Sequence, residues 1–523
     1  PNALLFGRGG AGGVLNRVTK KGTIGETFGG GQIAVDTFGE FSVQGDINLA
    51  AGENVAVRVN AAYESLNNHR DFYDGERIGF NPTVRFAPSD DTTIDLSYEY
   101  ADHERFVDRG IPTGEFGRPV EEFADIVFAD EELNYTTLEA HILRANVSHK
   151  FSDSWKLNAG AFYGDYDKVY SNFYASGYDQ AATPDRVTTD GYIDTTERQN
   201  LILSSNLVGE FETGNIHHTM VAGVEYISTS SDQDRFNAFW RDSVEVANNA
   251  PGDDNEIFLV SRPLSFRGGV GVNADGNITT NDFTADLNDF TQVEIDVFSA
   301  FIQDEISVTD WLDIVIGGRF DSFDITVLDL AGRKDENFSP RGGIIVKPQE
   351  NISIYASYSE SFLPRSGEQF ANINGNNNAL DPNTFTNLEA GIKWDVRPDL
   401  SFTAAVFEIE QSSPQPNDND PSTLDVVDST IQGFELQLQG NLSDFWSVQA
   451  GYSYLNGEQQ NRTGPTDYLR VDVAAFYEIS DNLRIQVNVE NLTDELYFPN
   501  SHSTHQVTVG APINARFAIS GRF

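Results

Sequence analysis

The chain has 523 residues, no Cys, a single Met and a formal net charge of −46. Without Cys there can be no disulfide framework, no Cys-ligated zinc, no iron–sulfur cluster and no thiol catalysis. The surplus of acid argues against a nucleic-acid partner, because that binding needs Lys and Arg to neutralise phosphates and release counterions.

No run of about 18 apolar residues occurs, so a membrane-spanning helix is excluded, whereas a β-barrel strand needs only about 9–11 residues with every second one apolar. After its first stretch the chain shows no Pro/Ser-rich linker, which favours one large repetitive unit. It starts at Pro1 with no signal peptide, and we expect a truncated or processed form.

In chain order, the first feature is a glycine cluster, Gly7, Gly9, Gly10, Gly12 and Gly13. A phosphate-binding loop would have to follow a strand and open a helix. Here Val14 to Thr19 reads as a strand, so the glycines are read as permitting tight backbone turns. Alternation with period two then dominates. It runs through Ile94/Leu96/Tyr98/Tyr100, Ile352/Ile354/Ala356/Tyr358, Phe434 to Gln439, Trp446 to Tyr454 and Leu483/Ile485/Val487/Val489.

Such alternation alone describes a soluble β-sandwich or propeller equally well. The connections separate the readings. Tight turns at Ala87–Asp90, Phe151–Ser154, Glu212–Asn215, Lys347–Glu350, Arg397–Asp399, Leu442–Phe445 and Ile479–Asn482 alternate with long polar stretches. The long stretches fall near 67–77, 102–138, 168–196, 228–291, 362–384, 411–427 and 492–512. Short turns at one rim and long loops at the other belong to an outer-membrane barrel. In the final strand Ile513, Ala515, Phe517 and Ile519 alternate with polar or small residues, and the chain stops at Phe523. A terminal aromatic on an amphipathic strand resembles the signal read by the barrel-assembly machinery.

The opening residues Pro1-Asn2-Ala3-Leu4-Leu5-Phe6-Gly7 and Gly12-Gly13-Val14-Leu15-Asn16, followed by Thr19-Lys20-Lys21, resemble the end of the plug in TonB-dependent siderophore receptors. Similar stretches of that family correspond to Phe338-Ser339-Pro340-Arg341-Gly342-Gly343, Asn387-Leu388-Glu389-Ala390-Gly391, Gly433-Phe434-Glu435 and Asn491-Leu492-Thr493-Asp494. The resemblance covers essentially the whole chain. It implies an all-β fold, with residues 1–22 as the end of the plug domain and 23–523 as a transmembrane antiparallel β-barrel. About twenty strands can be counted, against about 22 in the family, and the shortfall lies between Asn456 and Tyr468. Most of the plug and the TonB box would lie upstream of Pro1.

The resemblance further implies a monomer in the outer-membrane lipid of a Gram-negative cell. It would import a ferric siderophore of catecholate type, energised by the TonB–ExbB–ExbD complex, with no cofactor and no chemistry done on the ligand. Alternatives are uptake of haem, cobalamin or a glycan, or service as a phage or bacteriocin receptor. A Gly-x-Ser-x-Gly elbow, a His-Glu-x-x-His helix and a P-loop are all missing from the sequence, so catalysis is not expected.

An iron chelate bearing aromatic rings and negative charge calls for aromatic faces and Arg forks at the outer mouth. The candidates are Arg105, Phe106, Arg109 and Arg118 in one loop, and Tyr170 and Tyr174, with Phe173 and Tyr178, in another. Arg235, Phe236, Phe239, Trp240 and Arg241 belong to the largest loop, Phe362 and Arg365 follow the Tyr358 strand, and Phe6 falls where the family's plug carries a Tyr. His502 and His505 could pair on a metal but lack a third ligand, and read as polar loop. Asp253-Asp254 and Asp418-Asn419-Asp420 lack the spacing of a calcium loop. The net charge opposes an anionic ligand unless local Arg overrides it.

Overall fold

The computed structural model describes residues 17–182, 185–242, 248, 256–259, 270–272, 278–328, 332–363, 382–416, 424–443, 446–459 and 470–523. These form a closed antiparallel barrel of twenty strands, each paired with the next along the chain. The last strand, Asn514–Arg522, returns to the first, Phe28–Asp36, with Gly30 opposite Arg522 and Ile33 opposite Ile519. Two short strands, Glu256–Leu259 and Val270–Val272, add pairings to strands Arg186–Thr213 and Ile278–Thr309. An even count lets every neighbour run antiparallel around the ring, so no edge is left unpaired. Residues 460–469, where the family's further hairpin would fall, lie outside the described residues.

Two-residue connections such as 90–91, 153–154, 214–215, 350–351, 398–399 and 481–482 gather at one rim. Gly214 supplies the positive φ of 67° that such a turn demands. Trp155, Trp311, Trp394 and Trp446 all stand within a few residues of these turns. That is the place for an aromatic girdle, where amphipathic rings sit between lipid and water.

The barrel is inside out relative to a soluble core. Ile302, Ile316, Leu388 and Val406 are each more than half exposed on the outer face, where lipid would cover them. The lumen face instead carries buried charge, held in pairs. Arg58 forks onto Asp46 at 2.8 and 2.5 Å, Arg85 onto Asp95 at 2.6 and 2.9 Å, and Arg319 bridges Asp321 and Glu225, each at 2.8 Å. Fork geometry compensates the desolvation that an isolated buried ion would suffer.

Residues 17–27 precede the first strand and do not form one, contrary to the reading of Val14 to Thr19, of which residues 17–19 are described. Their basic side chains reach the acidic wall instead. Arg17 bonds Glu99, Lys20 pairs with Asp46 at 3.0 Å, and Lys21 pairs with Asp95 at 3.3 Å. Backbone groups do the same, the Thr23 amide donating to the Asn48 side-chain oxygen at 2.9 Å.

Strand length varies around the ring. Strands near the closure, such as Val473–Ser480 and Leu483–Glu490, have 8 residues each. Four consecutive barrel strands, Trp155–Asp179, Arg186–Thr213, Ile216–Asp242 and Ile278–Thr309, have 25, 28, 27 and 32. About 9–11 residues cross the hydrocarbon layer, so these four continue as sheet well above it. Much of 168–196 and of 228–291, expected as loop, is therefore strand.

Candidate ligand site at the barrel mouth

The tall wall sets its inward side chains by period two. On strand Trp155–Asp179 one face presents Tyr166, Lys168, Tyr170, Asn172 and Tyr174. Antiparallel pairing places Asn172 opposite Tyr192 and Lys168 opposite Thr196. On the next strand, Asp194 faces Arg235 across the pair.

Loop 107–134 folds against this wall and over the mouth. Its Ile111, Phe123, Ile126 and Phe128 pack with Ala175 and Val187 of the wall and with Val507 and Val509 of loop 491–513. Ile111 and Val507 exchange both backbone hydrogen bonds, at 2.9 Å each. Arg70, from the neighbouring short loop, donates to Asp108 at 2.6 Å, to the Ile126 carbonyl at 2.5 Å and to the Ala124 carbonyl. Buried carbonyls that no strand can satisfy thus find a guanidinium.

Where these loops meet the wall, Arg109 becomes the centre of a cage. Its guanidinium donates to the Tyr170 and Tyr192 hydroxyls at 3.0 Å, to the Asn172 oxygen at 3.2 Å and to the Gln506 oxygen at 3.0 Å. The Tyr170, Tyr174 and Tyr192 ring centres lie 5.8, 5.3 and 6.0 Å from it. Arg235 sits 4.2 Å from the Tyr192 ring centre, held by a fork onto Asp194 at 2.7 Å. The arrangement combines aromatic faces with fixed guanidinium charge.

A cavity of about 670 Å³ opens beside the cage, lined by residues that include Arg109, Lys168, Tyr170, Tyr192, Arg235 and Gln506. That size suits a chelate of drug-like dimensions. His502 also lines it; although the residue is exposed, partial desolvation, then the nearby Arg109 charge, lowers its pKa below the ordinary histidine value. His505 behaves likewise through burial, and its Nδ1 accepts from the Thr113 amide at 3.3 Å.

Of the residues named from the sequence, the structure brings Arg109, Tyr170 and Tyr174 together, with the tyrosines on a strand rather than in a loop. It places others in packing. Phe106 is buried with Val127 and Ala129, and Phe362 is buried against Phe323, ring centres 5.3 Å apart. Both are removed from solvent by apolar neighbours and are not offered to a ligand. Arg105 turns onto the Phe106 carbonyl at 3.0 Å, and Arg118 is exposed with its carbonyl closing a turn from Gly114. Period two carried up from the lipid-facing Val224 and Tyr226 puts Phe236 on the outer face. Trp240 and Arg241 belong to strand Ile216–Asp242, while Phe6, Arg365, Asp253-Asp254 and Asp418-Asn419-Asp420 lie outside the described residues. Arg235, named from the sequence, also lines the cavity, whereas the sequence reading missed its partner Asp194 and missed Asn172, Lys168, Tyr192 and Gln506.

The C-terminal Phe523 exchanges backbone hydrogen bonds with Gly29 at 2.8 and 2.9 Å, and its ring lies where a side chain on Gly29 would be, 2.6 Å from an ideal Cβ.

Residues 79–467 match the family model "TonB dependent receptor-like, beta-barrel". The chain is 24% identical to a probable TonB-dependent siderophore receptor, PiuA, of Acinetobacter baumannii, over 99% of this chain and 80% of that protein. It is 23% identical to the metal-pseudopaline receptor CntO of Pseudomonas aeruginosa, over 99% of this chain and 78% of CntO. The crystal structure of PiuA superposes with a TM-score of 0.82, covering all of this chain and 85% of that one, at 22% identity. The ferric-catecholate import receptor Fiu of E. coli gives a TM-score of 0.79, with 100% and 85% coverage at 17% identity. With the match spanning most of the barrel, the chain belongs to the TonB-dependent receptor-like β-barrel family.

Proposed function

We propose that this outer-membrane barrel imports a ferric siderophore, with energy supplied through TonB, and that the ligand is an anionic chelate with aromatic donors, of catecholate type. The observation that carries the reading is the Arg109 cage beside the 670 Å³ cavity. It supplies aromatic faces and guanidinium charge at the outer mouth, on a wall held rigid by hydrogen-bonded strands.

The chain's net charge of −46 is not the charge the ligand would meet. Beside the cavity, Asp108 is tied to Arg70 and Asp194 to Arg235, while Arg109 is held by neutral partners. Around the cavity itself the cations Arg109, Lys168, Arg198 and Arg235 outnumber the acids Asp108, Asp194 and Asp234, and acid farther off is screened by ions beyond about 10 Å. The relatives' names support iron chelates as the cargo class.

The test is ligand-dependent growth under iron starvation in a strain lacking its own siderophore receptors and expressing this one. A panel would include ferric catecholates, ferric hydroxamates, haem and cobalamin. Receptor-dependent growth on a ferric catecholate is expected. Growth supported by haem or cobalamin alone sinks the assignment.

A further inference from the structure

Arg109, Arg198 and Arg235 line the cavity, yet all three are already engaged, Arg198 donating to the Ser231 hydroxyl at 3.2 Å. Arg109 spends its donors on Tyr170, Tyr192, Asn172 and Gln506, and Arg235 forks onto Asp194. A charge held this way shapes the field and packs the rings, but a ligand can bond it only by displacing a protein group. Lys168 differs. It lines the same cavity and is exposed within the lumen. Its Nζ lies 5.5 Å from the Tyr170 ring centre, and no carboxylate among the described residues comes within ion-pair distance.

We infer that Lys168 is the ligand-facing cation of the cavity and discriminates anionic from neutral iron chelates. The inference rests on the siderophore reading above and names the residue that sets its charge preference.

Three structural facts support it. Lys168 shares its strand face with Tyr166 and Tyr170, so an aromatic chelate lying on the rings has the ammonium at its edge. Pairing with Leu138 and Thr196 places no acid beside it in register. The outward neighbours Asp167 and Glu197, which do pair across the strands, stand on the opposite face by period two. An ammonium is also a flexible point charge, able to follow a chelate's oxygens where a fixed guanidinium fork cannot.

The test uses the full chain, folded in detergent, with two probes of similar size: the trianionic ferric complex of a hexadentate tris-catecholate, and a neutral ferric tris-hydroxamate. Binding is followed by quenching of intrinsic fluorescence at two or more salt concentrations. Lys168→Gln is expected to weaken the trianionic complex by about 10- to 100-fold, the range for a charge-assisted bond. It should leave the neutral complex within about twofold and flatten the salt dependence. Lys168→Arg should recover most of the affinity. Equal weakening of both probes would assign Lys168 to packing and overturn the inference. So would unchanged affinity for the trianionic complex, which leaves the siderophore reading standing, or a wild-type preference for the neutral one, which also removes the catecholate assignment and leaves only iron-chelate import. Wild-type protein that binds neither chelate overturns both.

Discussion

Arg109 and Gln506 stand 397 positions apart, and the guanidinium of one donates a 3.0 Å hydrogen bond to the side-chain oxygen of the other. The bond ties the cage to loop 491–513, and the backbone exchange between Ile111 and Val507 lies beside it. Gln506→Ala removes the tie while leaving the tyrosine contacts of Arg109. Hydrogen exchange at the Ile111 and Val507 amides should quicken by roughly tenfold, since a bond to a charged donor contributes about 1.5–3 kcal/mol. Unchanged protection would show that the apolar cluster alone holds the loop.

Arg70 is a second anchor of the same lid. Its side chain is buried and serves Asp108 and two carbonyls of loop 107–134. Arg70→Leu strands those acceptors and leaves the Asp108 charge without its partner, a change that costs about 3–5 kcal/mol at buried pairs. Limited proteolysis should then cut within 107–134 while the strands resist. A cleavage pattern identical to the wild type would refute it.

The two loop histidines, His505 half-buried and His502 partly desolvated, give the lid a pH dependence whose sign follows from that loss of solvent. Both have a pKa below the ordinary value of 6.5 in the folded protein. Above 6.5 folded and opened loops are alike neutral and stability is complete; as pH falls below 6.5, the opened form binds protons first and the closed lid loses stability until the folded pKa is passed. Exchange protection of the Val507 amide should therefore drop between about pH 7.5 and about pH 5.5. His502→Gln with His505→Gln should remove the dependence, and a drop of equal size in that double variant would trace it to other groups.

Barrel closure depends on one missing side chain. An ideal Cβ on Gly29 would stand 2.6 Å from the Phe523 ring, well inside contact. Gly29→Val is expected to displace the ring and lower the yield of folded barrel, read as the fraction that migrates compactly on a gel without heating. Combining it with Phe523→Ala should restore part of the loss if the clash is the cause. A double variant no better than Gly29→Val places the fault in the strand backbone instead.

The barrel could be read from the sequence because lipid writes a strong pattern. Where one face meets hydrocarbon and the other the lumen, as at Trp446, Val448, Ala450, Tyr452 and Tyr454, apolar and polar residues separate. Above the membrane both faces of the wall meet water, and the pattern fades. Thr188, Thr189, Thr195 and Thr196 look like loop for that reason, although β-branched residues suit a strand. The cage was half legible. Arg109, Tyr170 and Tyr174 are residue types a ligand site would use, but Tyr192, Lys168 and Gln506 matter through register and through a pairing between loops far apart in sequence. No local signal announces such a meeting.

The tall strands also bear on how such a receptor changes its ligand. A recognition surface made of loops can be altered by lengthening or shortening them. One made of paired strands is altered less freely, because a single residue inserted between Tyr166 and Tyr174 would turn the inward side chains beyond it to the outside unless a bulge absorbed it, as the register shift between Ala175 and Gly177 does. The cavity wall is thus open to revision one substitution at a time, at every second position, and to insertion only where a bulge takes up the extra residue. New specificities on this wall should arise as point exchanges on the Tyr166, Lys168 and Tyr170 face, with chain length along the strand held constant.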